Sequence, residues 1–308
     1  MNSVIGRREF VGLSLAMTAA FGAEKPDVQF PTEPRKRLAV STYPFRHVVQ
    51  TRRRRPSETH LTGMTLQQFA ATIPEKFDVR GIEPWSPHFQ SNEPDYVRSL
   101  RESFDKDGLH VVNIPVDSVE PKVCGGAQER EAVLAQYRKW VDTAVILGSP
   151  GIRIHLPHAP AGKEVQCAVD AYKPLAEYGA SKNIVVNIEN DDADTEKPET
   201  IVQVLKTVNS PYLRALPDFC NSMAIHDDEA YNEKAMRMLF PLAYNISHVK
   251  DSEGGEGGKM YHVNMDAIFA IAKQAGYRGY FSMEWEGAGN DPYAGTKALL
   301  EASLRNLA

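Results

Sequence analysis

"NISHVKDSEGG", residues 245–255, opens as an apolar, β-branched run and finishes in a histidine, a lysine and an aspartate ahead of a glycine-rich break. Alternate residues of a strand share a face, so Ile246, His248 and Lys250 point the same way. Such a face, apolar at one end and ionisable at the other, predicts a strand buried along its length and open to chemistry at its C-terminal tip.

The pattern recurs along the chain. "RLAVSTY" (37–43), "VRGIEPW" (79–85), "LHVVNIP" (109–115), "GIRIHL" (151–156), "NIVVNIEN" (183–190), "YLRALPD" (212–218) and "GYFSMEW" (279–285) complete a set of eight strand candidates. Segments of helical period lie between them, at 129–147, 163–181, 197–208, 228–239, 265–275 and 292–304, several ending at glycine. Eightfold alternation of β and α predicts a single-domain (β/α)8 TIM barrel, each strand covered by the helix that follows it. A doubly wound open sheet is the competing fold, but no G-x-G-x-x-G follows an early strand.

The chain has 308 residues, 42% hydrophobic and 24% charged, which is enough to bury a large core. Its formal net charge of -5 speaks against a nucleic-acid partner. The N-terminus differs from the rest. "GRREFVGLSLAMTAAFGAEK" joins paired Arg7 and Arg8 to an apolar stretch and a small-residue ending at Ala23, so residues 1–23 read as a twin-arginine export signal and imply a periplasmic protein. That stretch is too short for a membrane span, so no stable anchor is expected after cleavage. Residues 24–36, rich in proline and charge, read as a linker, and the barrel domain is expected over 37–308. Three cysteines, Cys124, Cys167 and Cys220, are an odd number on separate elements and predict no disulfide framework. Arg52 to Arg55 read as a solvated charge run, and the "SEGGEGGK" of 252–259 as a mobile loop rather than a nucleotide cradle.

The strand phases carry the chemistry. Asn187 and Glu189 share a face, as do Leu216 and Asp218, His248 and Lys250, and Ser282, Glu284 and Glu286. A helix-covered exterior would reject those charges, so this face should line the barrel mouth. Glu189, Asp218, His248 and Glu284 then come from four successive strand ends. Three carboxylates packed together repel one another unless a cation neutralises them, so one divalent ion held by this set is the expected cofactor. One imidazole with three carboxylates suits Mn²⁺, Co²⁺ or Mg²⁺, and Zn²⁺ fits as well. Around them Glu83, Trp85, His88, His155, Asn187 and Lys250 are candidates for binding substrate, with Arg153 and His158 close by in sequence. Cys220 is expected to be a buried, inert thiol.

The glutamate of "VVNIEN", the aspartate of "ALPDFCN", "HVKD" and "SMEWEG" resemble the xylose isomerase-like barrel superfamily of sugar phosphate isomerases and epimerases, over about residues 37 to 305. The resemblance implies that Glu189 and Glu284, besides ligating the metal, act as the acid and base of a sugar isomerase or epimerase working through an enediolate. Ketose 3-epimerases carry a histidine three residues after the metal-bound aspartate and an arginine six after the histidine; here those positions are Asn221 and Gly254. Two other readings stand beside this one: a lyase or hydrolase that eliminates the aglycone of 3-keto-glycosides, and a non-catalytic sugar-binding barrel. In each the partner is a small carbohydrate, and a homo-oligomer is compatible with all three.

Overall fold

The computed structural model describes residues 25–52, 59, 61–192, 195–255, 258–289 and 291–308. The export signal and Arg53 to Arg55 lie outside the described residues. Every strand expected from the sequence forms, with one divided into two, and the short β9 and β10 are added: β1 (Leu38–Ser41), β2 (Gly81–Glu83), β3 (His110–Val111), β4 (Ile114–Pro115), β5 (Gly151–Ile154), β6 (Val185–Glu189), β7 (Leu213–Leu216), β8 (Ile246–Val249), β9 (Ser252–Gly254), β10 (Met260–His262) and β11 (Tyr280–Met283). The helices are α1 (Leu66–Ala70), α2 (Ile73–Phe77), α3 (Pro94–Lys106), α4 (Ala127–Leu147), α5 (Glu164–Lys182), α6 (Pro198–Val208), α7 (Asn221–His226), α8 (Glu229–Leu239), α9 (Met265–Gln274) and α10 (Pro292–Leu307).

Their ends follow local chemistry. Asp291 caps α10 by accepting the N–H groups of Tyr293 and Ala294, and α6 starts on a proline and stops at a left-handed Asn209.

Two all-parallel arcs make the ring, one ordered β3-β2-β1-β11-β8 and the other β4-β5-β6-β7. The chain itself spans one seam, because β3 and β4 are the two ends of the third expected strand: β3 pairs with β2 and β4 with β5. At the other seam the His248 N–H donates to Pro217 O at 3.1 Å and the Phe219 N–H to His248 O at 3.3 Å. This parallel bridge sets Asp218 beside His248.

Inside, the side chains are graded along the axis. Ala39, Val112, Leu216, Ile246 and Tyr280 form an apolar floor. Asn113, Asn187 and Asn245 are buried next to it; Asn187 Nδ2 donates to Ile152 O and Asn113 Oδ1, and Asn245 Nδ2 to Val112 O. The layer is tight at Gly151, where a Cβ would come within 2.9 Å of both Asn187 Nδ2 and Asn245 Nδ2. The ionisable strand ends lie above the asparagines.

Beneath the floor, the segment read as a linker is docked from residue 25 onward. Phe30 packs edge-on to Tyr244 and Tyr280, with ring centroids 5.3 and 5.8 Å away, and Asp27 exchanges two hydrogen bonds with Asn183.

Two expectations are corrected. Cys124 and Cys167 form a disulfide, their Cα atoms 5.3 Å apart, and only Cys220 is free. The bond joins the loop ahead of α4 to the first turn of α5, neighbours in space through the packing of those helices rather than through any sequence spacing. Part of the glycine-rich stretch is ordered too: β9 pairs antiparallel with β10. Among the described residues no helix is long and apolar enough to cross a membrane.

Candidate metal centre

Glu189, Asp218, His248 and Glu284 converge at the C-terminal mouth, each offering one ligand atom, all within 4.8 Å of one another. None is more than 4% exposed. Strand phase explains the convergence. Glu189 ends β6, His248 lies in β8, Asp218 stands two residues beyond β7 and Glu284 one beyond β11, all on the face that turns inward.

His248 is the hub. Its Nδ1 lies 2.6 Å from Glu189 Oε1 and 3.1 Å from Glu284 Oε2, and its Nε2 lies 3.0 Å from Glu83 Oε1. Burial pulls the imidazole pKa down, but Glu284, Glu83 and Glu189 outweigh it and hold the ring well above its ordinary value. Burial also acts against ionised Glu284, yet the facing His248, with Lys250 and Arg153, brings its pKa down to about 2.

Asp218 behaves differently. Its Oδ1 accepts the N–H groups of Cys220 and Asn221, each at 2.8 Å, whereas the buried Oδ2 has no hydrogen-bond partner among the described residues. Burial, together with Glu189 and Glu253, pushes this carboxyl well above the usual range despite Lys250. A buried, half-satisfied carboxylate oxygen facing two further carboxylates and an imidazole is what a divalent cation would complete. The donor set therefore fits a metal ion of the oxygen-preferring kind.

Supporting groups hold each carboxylate in place. Arg153 Nε lies 2.8 Å from Glu189 Oε2, and its Nη1 reaches Asp117 Oδ1. Asp117 also takes the Trp85 indole N–H and contacts His155 Nε2 at 2.8 Å. The Ser41 hydroxyl donates to Glu284 Oε1 at 3.2 Å. Lys250 Nζ donates to Asn221 Oδ1, Glu286 Oε2 and Glu253 Oε2, and stands 3.7 Å from both Asp218 Oδ2 and Glu284 Oε2.

The residues expected around substrate divide by depth. Lys250 and His155 stand at the mouth, His155 partly exposed between Asp117 and Asp191. Glu83 is buried against His248 and Asn113, and Asn187 lies in the asparagine layer below. Trp85 and His88 are buried as well; His88 Nδ1 lies 2.8 Å from Thr42 Oγ1. His158 is at the outer rim, 3.6 Å from Asp192. Sequence reasoning missed Asp117 and Ser41. Asn113, Pro115 and Asp117 share a phase, so following that alternation past the third strand would have found the aspartate. Cys220 is buried, its thiol pushed up by burial and by Asp218.

The family model for the xylose isomerase-like TIM barrel matches residues 75–307. The chain belongs to this family. Solved xylose isomerase-like barrels superpose over most of its length. A xylose isomerase-like TIM barrel protein from Mycobacterium smegmatis, in complex with magnesium, is 17% identical, with a TM-score of 0.66 over 88% of this chain and 96% of its own. The 3-keto-D-glucoside 4-epimerase of E. coli is 15% identical, with a TM-score of 0.62 over 88% and 99%. The probable 3-DHS dehydratase of Bacillus anthracis is 18% identical, with a TM-score of 0.61 over 88% and 98%. At these identities the likeness is one of fold. No curated protein matches the sequence.

Proposed function

We propose that this xylose isomerase-like barrel is a divalent-metal-dependent carbohydrate isomerase or epimerase that moves a proton on a carbon beside a carbonyl. The observation that carries the reading is the convergence of Glu189, Asp218, His248 and Glu284, with Asp218 Oδ2 buried and without a hydrogen bond among the described residues. Held by these four, a cation such as Mn²⁺, Co²⁺, Mg²⁺ or Zn²⁺ supplies the charge that polarises a substrate carbonyl and acidifies the neighbouring C–H. The magnesium complex of the Mycobacterium smegmatis protein supports a hard ion.

The protein's own groups do the rest. Glu189 and Glu284 follow the fifth and eighth strands of the ring, so they approach a bound sugar from different sides: one carboxylate takes the proton and the other returns it. Arg153 fixes Glu189 and Ser41 fixes Glu284, which limits the carboxylates to the geometry transfer needs. Lys250 and His155 are placed to hold substrate hydroxyl or carbonyl oxygens. Glu189→Gln or Glu284→Gln should lower turnover by at least about a hundredfold with the fold intact by circular dichroism. Full activity in either variant refutes the reading.

A second reading has its own support. The Cys124–Cys167 bond suits an oxidising compartment, in keeping with the twin-arginine segment, and glycosides are among the carbohydrates to be processed there. In a 3-keto-glycoside the same carboxylate would remove the proton from C2, the C1–O bond would break, and the aglycone would leave with a proton. Product mass separates the two: a stereoisomer of unchanged mass marks isomerisation, and free aglycone marks elimination.

A further inference from the structure

A cavity of about 310 Å³ lies beside the mouth, between the segments that follow β1, β2 and β4 and the flank of α4. Its wall includes Arg52, Ser86, Ser118, Gln136, Lys139 and Trp140, and none of its described lining residues is a carboxylate. That is unusual in a chain of net charge -5 whose barrel mouth is crowded with acids. Neither Arg52 nor Lys139 has an acidic partner among the described residues.

The cavity also presents unused donors. Ser86 Oγ accepts the backbone N–H groups of Asp117 and Ser118 at 2.9 and 3.1 Å, which leaves its own O–H to donate. Ser118 Oγ is buried with no hydrogen-bond partner among the described residues. Two cations without an acidic partner among the described residues, beside the Ser86 hydroxyl, form a receptor for oxygen anions around a space of this size. The cavity adjoins the metal centre through Asp117, whose N–H is held by Ser86 while its carboxylate meets Arg153 and His155. Arg52, the first residue of the arginine run, thereby acquires a role that composition alone did not give it.

We propose that this cavity binds an anionic group, a phosphate or a carboxylate, carried by the substrate at the end remote from its reacting carbonyl. The assignment rests on the isomerase reading and narrows it to sugar phosphates or sugar acids. The wall, which has no carboxylate among its described residues, orients the anionic end, and the carboxylate-rich centre is left to the uncharged, reacting end.

The test is binding, made on the full chain stripped of metal so that no turnover is needed. Calorimetric titrations with inorganic phosphate, glucose 6-phosphate, glucuronate and glucose are compared between the natural protein and the Arg52→Gln/Lys139→Gln double variant, whose exposed positions leave the fold undisturbed. The two sugar anions should bind at least about tenfold more tightly than glucose, with an affinity that falls as salt rises, and the double variant should lose that preference. Glucose 6-phosphate should also exceed inorganic phosphate, since the sugar lies against the mouth. Equal binding of glucose and the sugar anions, or a preference that survives in the double variant, overturns the proposal whether or not the barrel is an isomerase. Inorganic phosphate binding as tightly as glucose 6-phosphate overturns the substrate assignment, because the site would then serve a free anion. The isomerase reading fails separately, on full activity of the Glu189 or Glu284 variants.

Discussion

His248 Nε2 lies 3.0 Å from Glu83 Oε1, so the ring nitrogen turned away from Glu189 and Glu284 is held by a buried carboxylate. This leaves Nδ1 facing Glu189 and Glu284 as the nitrogen available to a cation. Carboxylates behind a ligating imidazole fix its tautomer and orientation, and their loss costs about 10–100-fold in metal affinity. Glu83→Gln should weaken Mn²⁺ binding by that factor in a competitive chelator titration, with little change in substrate KM once metal saturates. The reverse pattern, a raised KM with unchanged metal affinity, would place Glu83 on the substrate instead.

Metal binding should also stabilise the fold. Three buried carboxylates are brought together, and Asp218 Oδ2 accepts no hydrogen bond among the described residues, so a divalent cation would offset the repulsion that Lys250 and Arg153 leave uncompensated. A ligand that binds only the folded state adds about 2.7 kcal/mol at a hundred times its Kd. Adding Mn²⁺ to chelator-treated protein should therefore raise the melting temperature, and Asp218→Asn should abolish the rise. An equal rise in Asp218→Asn would locate the ion elsewhere.

The ring of strands and the convergence of Glu189, Asp218, His248 and Glu284 were legible in the sequence because alternation reports which way a side chain points, and in a closed barrel one of the two directions is the interior. His248 and Glu284 were found from phase alone. Alternation says nothing about neighbours around the ring, so the contact of Glu83 with His248, from strands three places apart, was not readable. Nor was the Cys124–Cys167 pair, which depends on how α4 and α5 pack. Asp117 was missed because it lies two residues beyond the third strand, where the alternation persists after the sheet pairing has ended.

The disulfide closes a loop of 43 residues, which includes α4 and β5. By chain entropy such a closure is worth about 4 kcal/mol. Reduction, or Cys167→Ser, should lower the urea midpoint correspondingly, and it should loosen the loop that carries Asp117. A midpoint unchanged by reductant would mean that the cross-link contributes nothing to folding stability.

Asp117 gives the fold an acid-sensitive element. Burial raises its carboxyl pKa, but Arg153 and His155 outweigh it and hold it far below the ordinary 3.8. A folded-state pKa below the unfolded one contributes stability that is fully present above about pH 4 and drains away as the pH falls toward the depressed folded value. Asp117→Asn also leaves Arg153 without its anion. The variant should therefore be less stable than the natural protein in urea at pH 7, and the gap between them should narrow progressively below about pH 4. A gap of constant size from pH 7 down to pH 3 would show that the carboxylate charge is not the source of the stabilisation and that the lost hydrogen-bond geometry is.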